Sequence, residues 1–130
     1  MEQLHIRFHN SDFTETLPGE GYHTCLIHSA RPRVSERGNS TLQVVYQLDD
    51  ADAACDRITE YFVVAGASPQ ALRIGRRRLL ALCRACGLDP REGDELELPS
   101  LVGRELQIRI GHDSYDGKPC ARVLGYRPLS

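Results

Sequence analysis

Three arginines crowd one short stretch, Arg31-Pro32-Arg33-Val34-Ser35-Glu36-Arg37-Gly38-Asn39-Ser40. Guanidinium groups present fixed forks of N–H donors that match phosphate oxygens, so their concentration on one exposed segment is chemistry suited to a polyanion. A second polar stretch, Gly111 to Pro119, carries Tyr115 and Lys118, and Arg122 follows it. A flat aromatic ring adds what phosphate contacts lack: a face on which a nucleobase can stack, worth about 1–3 kcal/mol per base. Tyr61 is the preferred stacking residue, because it alternates with apolar neighbours and so points away from them.

The other reactive side chains point to packing. Cys83 and Cys86 form a lone CxxC inside an apolar stretch, but a structural zinc site needs about four ligands and no second knuckle follows. His23, Cys25 and His28 do not complete it, since strand alternation puts Cys25 and His28 on opposite faces; no metal or other cofactor is expected. Asp49, Asp50 and Asp52 fall together in a turn, where weak divalent-ion binding would be needed for a small metal-dependent nuclease, the remote alternative. No nucleophile elbow and no GxxxxGK phosphate loop occurs, so no catalytic residue is assigned and no enzyme is expected. Arg76-Arg77-Arg78 is the densest basic run. Successive helical residues point ~100° apart, so the three cannot share one face, and one is expected to snorkel beside the core.

The 130 residues match one domain, and 41% hydrophobic with 26% charged residues supplies a core and a polar surface. The net charge of −2 excludes coating of nucleic acid by bulk attraction, so any phosphate site must be a local patch. No apolar run approaches the ~18 residues of a membrane span, and Glu2, His5 and Arg7 stand where a secretory signal would place its apolar core. A cytoplasmic protein is expected, with no membrane partner and with its five cysteines as thiols.

These side chains need elements to position them. Residues 1–21 read as an N-terminal arm closed by Leu17-Pro18-Gly19-Glu20-Gly21, and residues 22–130 as the domain. Tyr22 to Ala30 reads as strand one. Thr41 to Leu48 alternates Leu42, Val44, Tyr46 and Leu48 against Gln43, Val45 and Gln47, and Arg57 to Val64 alternates Ile58, Phe62 and Val64 against Thr59, Tyr61 and Val63. Ser68-Pro69 opens a helix with a hydroxyl cap and a residue of preset φ, and Gly87 suits its end. A polar connection follows, with a short helical turn expected at Asp94 to Leu98. Leu106, Ile108 and Ile110 mark strand four, and Cys120 to Tyr126 the last strand, with the two arginine- and tyrosine-bearing stretches expected as loops.

Three strands, a helix and two strands is the order of the oligonucleotide/oligosaccharide-binding (OB) fold, a mainly β, five-stranded Greek-key barrel with one helix between strands three and four. That barrel brings the first and last hairpin loops to one side, so Arg31, Arg33, Arg37, Tyr115 and Lys118 are expected to converge. Gln43, Gln47, Tyr61, Arg109 and Arg122 would line the groove between them. Leu17 to Tyr22, the Gly38 hairpin, Arg78 to Leu88, Leu101-Val102-Gly103 and Gly125-Tyr126-Arg127-Pro128 together resemble a family of small phage and prophage proteins. The resemblance covers most of the chain and implies an OB-fold single-stranded-DNA binder acting near phage recombination and replication in a bacterial cell. Single-stranded DNA is then the expected partner, with RNA, recombination or replication proteins, and self-association into a homo-oligomer left open. A protein-interaction OB module that docks such proteins is the second reading, and it fits the slightly acidic balance.

Overall fold

The computed structural model describes residues 17–49 and 56–129. Five strands, β1 (Gly21–Val34), β2 (Ser40–Leu48), β3 (Arg57–Ala65), β4 (Glu105–Tyr115) and β5 (Lys118–Arg127), pair antiparallel in one sheet of order β3-β2-β1-β4-β5. The helix α1 (Pro69–Ala85) lies between β3 and β4 in sequence, as the element order predicts. Phe8, Phe13 and the rest of the arm before Leu17 lie outside the described residues. No helix among the described residues is long and apolar enough to cross a membrane.

Local rules account for most of these elements. In β2 the alternating Leu42, Val44, Tyr46 and Leu48 are all buried, as one half-buried face requires. At α1 the Ser68 hydroxyl accepts the Ala71 N–H at 3.2 Å and Pro69 takes the first turn. The helix ends at Cys86 and Gly87, whose φ of +86° an L side chain would resist.

Three boundaries differ from the sequence reading. β1 continues through Arg31, Pro32 and Arg33 to Val34, leaving only Ser35–Asn39 as the first hairpin loop. Pro32 is tolerated because β4 pairs with β1 only as far as Leu26, so β1 is an edge beyond that point. Residues expected as a nine-residue loop after Ile110 are mostly strand: β4 and β5 pair out to Tyr115 and Lys118 across Asp116-Gly117, both at positive φ. That is the two-residue turn whose twist matches flanking strands. The helical turn expected at 94–98 is a 3₁₀ turn at Leu98–Ser100.

The core lies between the sheet and α1, centred on Ile27, Tyr46, Phe62, Leu82, Leu106, Ile108 and Ile110. Gly75 lets α1 rest directly on β3, since a Cβ there would overlap the Val63 carbonyl oxygen. The side chain absent from the sequence-based core is Glu60, which is buried on the inner face of β3 beside Ile58 and Phe62. Its carboxylate accepts the Tyr46 hydroxyl at 2.7 Å, the Tyr126 hydroxyl at 2.5 Å and an Arg78 N–H. The same Arg78 nitrogen donates to the Val123 carbonyl at 3.0 Å, and the guanidinium carbon lies 5.9 Å from the Phe62 ring centroid. Arg78 is thus the member of the basic run that snorkels beside the core, and the network ties β2, β3, α1 and β5 through one carboxylate.

Burial pushes the Glu60 carboxyl above its ordinary range, and the hydrogen bonds of Tyr126, Tyr46 and Arg78 offset this only in part. A folded-state pKa above the unfolded one means that the folded chain holds the proton more tightly. This contribution to stability is complete below the unfolded value of about 4.3 and is lost as pH rises through the folded one. The stability advantage of the wild type over Glu60→Gln should therefore be larger at about pH 4 than at about pH 8 in urea unfolding. Glu60→Ala should cost about 3–5 kcal/mol at neutral pH, because it strands a partly buried guanidinium and a buried hydroxyl. Gly75→Ala should destabilise by about 1–3 kcal/mol in the same assay, although alanine is the better helix former by about 1 kcal/mol.

Candidate functional site

Residues on the outer face of β1, β2 and β3 line up in cross-strand rows. Arg31 pairs with Gln43 and Gln43 with Tyr61; Arg33 pairs with Thr41 and Thr41 with Val63. The arginines reach this face through a bulge. Cys25 and Ile27 point into the core, and uninterrupted alternation would send Arg31 and Arg33 inward as well. The register shifts between Ile27 and Ser29, so that His28 is the extra residue and Ser29, Arg31 and Arg33 face outward.

Arg33 is held by its neighbour: its Nε donates to the Gln43 Oε1 at 2.7 Å, which orients the guanidinium and leaves its terminal nitrogens for a ligand. Tyr61, 58% exposed, stands across β2 from it. Arg33, Gln43 and Tyr61, with Val34, Ser35 and Thr41, line an open groove of about 510 Å³. Arg37 is exposed in the adjoining loop. This groove joins a cation for phosphate, an amide for hydrogen bonding and an exposed ring for stacking.

The remaining predicted residues lie elsewhere. Gln47 accepts the Arg57 Nε at 2.9 Å and donates to the Asp56 carbonyl at 3.2 Å, two turns of pleat away from Tyr61 on the same face. Arg109 is exposed on β4 opposite Tyr22. Arg122 pairs with Asp113 at 2.8 Å, and that hydrogen bond, with one from the Ser114 N–H, holds the Asp113 carboxyl below its usual range. Tyr115, 76% exposed, and Lys118 form the last pair of the β4–β5 ladder.

The expected meeting of the two hairpin tips is not supplied by the pairing. Gly21 at the start of β1 lies opposite Ile110, so Gly111–Tyr115 run on past that end, whereas the Ser35–Asn39 loop leaves β1 at the other. The groove contains residues from the first tip alone.

Two further features were not anticipated. The Arg127 guanidinium carbon lies 3.6 Å from the Tyr22 ring centroid, and its Nε donates to the Gln107 Oε1 at 2.5 Å. Arg33–Gln43, Arg57–Gln47 and Arg127–Gln107 thus repeat one device, a glutamine oxygen fixing an arginine Nε on the outer face. The signal was present as glutamines at outward positions of the alternating strands, but their partners depend on register. Secondly, the described end of the arm docks on the sheet: the Pro18 carbonyl meets the His112 Nε2 at 2.6 Å and the Gly19 carbonyl the His23 Nε2 at 2.6 Å.

Among the described residues no group of three His, Cys, Asp or Glu side chains is placed to hold a metal ion. Asp50 and Asp52 lie outside them. Cys83 and Cys86 are buried in the core with Cys25. Burial pushes the Cys25 thiol up to about 12 and the Cys86 thiol to about 11, and raises Cys83 also, so none is a thiolate at neutral pH.

No protein-family model matches the chain, and no curated protein matches it. In a Cys55→Ser background, a thiol reagent such as DTNB should react promptly with the half-buried Cys120 alone, and with Cys25, Cys83 and Cys86 only after denaturation. Prompt reaction of more than one thiol in the folded protein would contradict this packing.

Proposed function

We propose that the chain is a non-catalytic single-stranded-DNA-binding domain of the phage and prophage type that its sequence resembles, built on an OB-type barrel. The outer face of β1, β2 and β3 is its binding surface. The strand order supports the fold reading: β3 and β5 end the hydrogen-bonded sheet, and the Glu60–Tyr126 hydrogen bond links these two strands, the pair that closes an OB barrel. The one observation that carries the functional reading is the exposed Tyr61 ring beside Gln43 and a preset Arg33 in an open groove.

On this reading the strand lies with phosphates against Arg31 and Arg33 and a base on Tyr61. Single strands are preferred to duplex because only unpaired bases offer a face to the ring. Little sequence preference is expected, since every base has a π-face and phosphate contacts read no sequence.

Fluorescence anisotropy with a labelled thirty-nucleotide strand tests this. Affinity should exceed that for the matching duplex and fall steeply with salt as counterions return to the phosphates. Tyr61→Ala should weaken binding by roughly 10- to 100-fold, the equivalent of one lost stack. Absence of binding by the wild type at low salt and micromolar protein would remove the proposal.

A further inference from the structure

On the far side of Tyr61 from Arg33 the surface continues into a second, mostly apolar cleft of about 210 Å³. Tyr61 and Val63 of β3 line one wall, and Ala71 and Ile74 of α1 the other. Ile74 is 53% exposed, an unusual position for a large aliphatic side chain on a helix whose opposite side is packed into the core. Tyr61 lines both clefts, so they adjoin at its ring, one on the β1 side and the other on the α1 side.

The helical rim of the second cleft is basic. Arg77 follows Ile74 by three residues and Arg73 precedes Arg77 by four, so the two arginines stack on the stripe next to Ile74. Both are exposed, neither has an ion-pair partner among the described residues, and α1 contains no acidic side chain. Arg78, by contrast, is committed to Glu60.

Two other routes away from Tyr61 are electrostatically poorer. Along β2 the next depression is lined by Asp49 and Glu105, which repel phosphates. At the β4–β5 tip Arg122 is already neutralised by Asp113. A polyanion resting on Tyr61 with one flank at Arg31 and Arg33 therefore meets two further exposed arginines, Arg73 and Arg77, where it passes onto α1.

Resting on the binding face just proposed, we infer that single-stranded DNA crosses β3 and continues onto α1, with a base against Ile74 and phosphates at Arg73 and Arg77. The helix is a second rim of the site, and the β4–β5 hairpin takes no part. Each rim supplies cations, and the ring and the isoleucine between them cover successive bases.

The test uses anisotropy with a fluorescein-labelled oligo(dT) of fifteen nucleotides over a salt series. Four proteins are compared: wild type, Arg73→Gln/Arg77→Gln, Arg31→Gln/Arg33→Gln and Tyr115→Ala/Lys118→Ala. All altered side chains are exposed, and circular dichroism confirms equal folding. The helix pair should weaken binding roughly five- to tenfold and reduce the slope of log affinity against log salt by about 1.4, as expected for two lost phosphate contacts on a single strand. Ile74→Ala should weaken binding without changing the slope, and the hairpin pair should bind like wild type. If the β1 pair weakens binding and the helix pair does not, the helical rim is wrong while the binding face stands. Loss of affinity in the hairpin pair instead of the helix pair would likewise overturn the path. A wild type that fails to bind the oligonucleotide would remove the binding face and this inference together.

Discussion

The Glu60 carboxylate is the interaction on which the arrangement depends. The sheet ends at β3 on one side and β5 on the other, and no backbone ladder joins them. Their connection runs through side chains: the Glu60 carboxylate receives the Tyr126 hydroxyl from β5 and an Arg78 N–H from α1, while Tyr46 holds its second oxygen from β2. A buried carboxylate is costly unless every lone pair is used, and here three donors from three elements converge on it. The network is therefore cooperative, since displacement of any one partner leaves charge or hydroxyl unmatched in a low-dielectric interior.

This constraint also fixes the exposed face. Glu60 and Tyr61 are neighbours on β3, and strand alternation sends one side chain inward as it sends the other outward. Anchoring Glu60 thus holds the Tyr61 ring at a set height and lateral position above the sheet. On β1, across β2 from the ring, the bulge at His28 does the equivalent work for Arg31 and Arg33, changing which side chains face outward without altering composition. Ring and guanidinium are brought together by two structural facts, one an anchored side-chain carboxylate and the other an inserted residue in the backbone.

How far these features were legible in the sequence follows from the range of the interactions involved. β2, β3 and α1 were readable because their signals are local: period-two burial, a Ser-Pro start and a glycine stop. The ends of β1 and β4 were not. Pro32, Gly38 and the Gly111–Pro119 stretch carry turn-forming residues, yet a free sheet edge accommodates the proline and two residues at positive φ suffice for the second hairpin. Glu60 was invisible as a core residue because a lone acid in an alternating strand reads as a surface residue, and its three partners lie 14, 18 and 66 positions away. Tyr61, Gln43 and Arg33 could be singled out residue by residue, but their grouping in one groove, and the separation of Tyr115 and Lys118 from them, required the register.

The contact between Gly75 and the Val63 carbonyl leaves helix and strand touching backbone to backbone, with no side chain as a spacer. Elsewhere in the core, drift at one site can be absorbed by a complementary change across the interface, because aliphatic groups trade volume with one another. Here there is nothing to trade. Position 75 is confined to a single amino acid for as long as the two elements keep this separation, whereas the solvent side of the same helix remains open to wide variation.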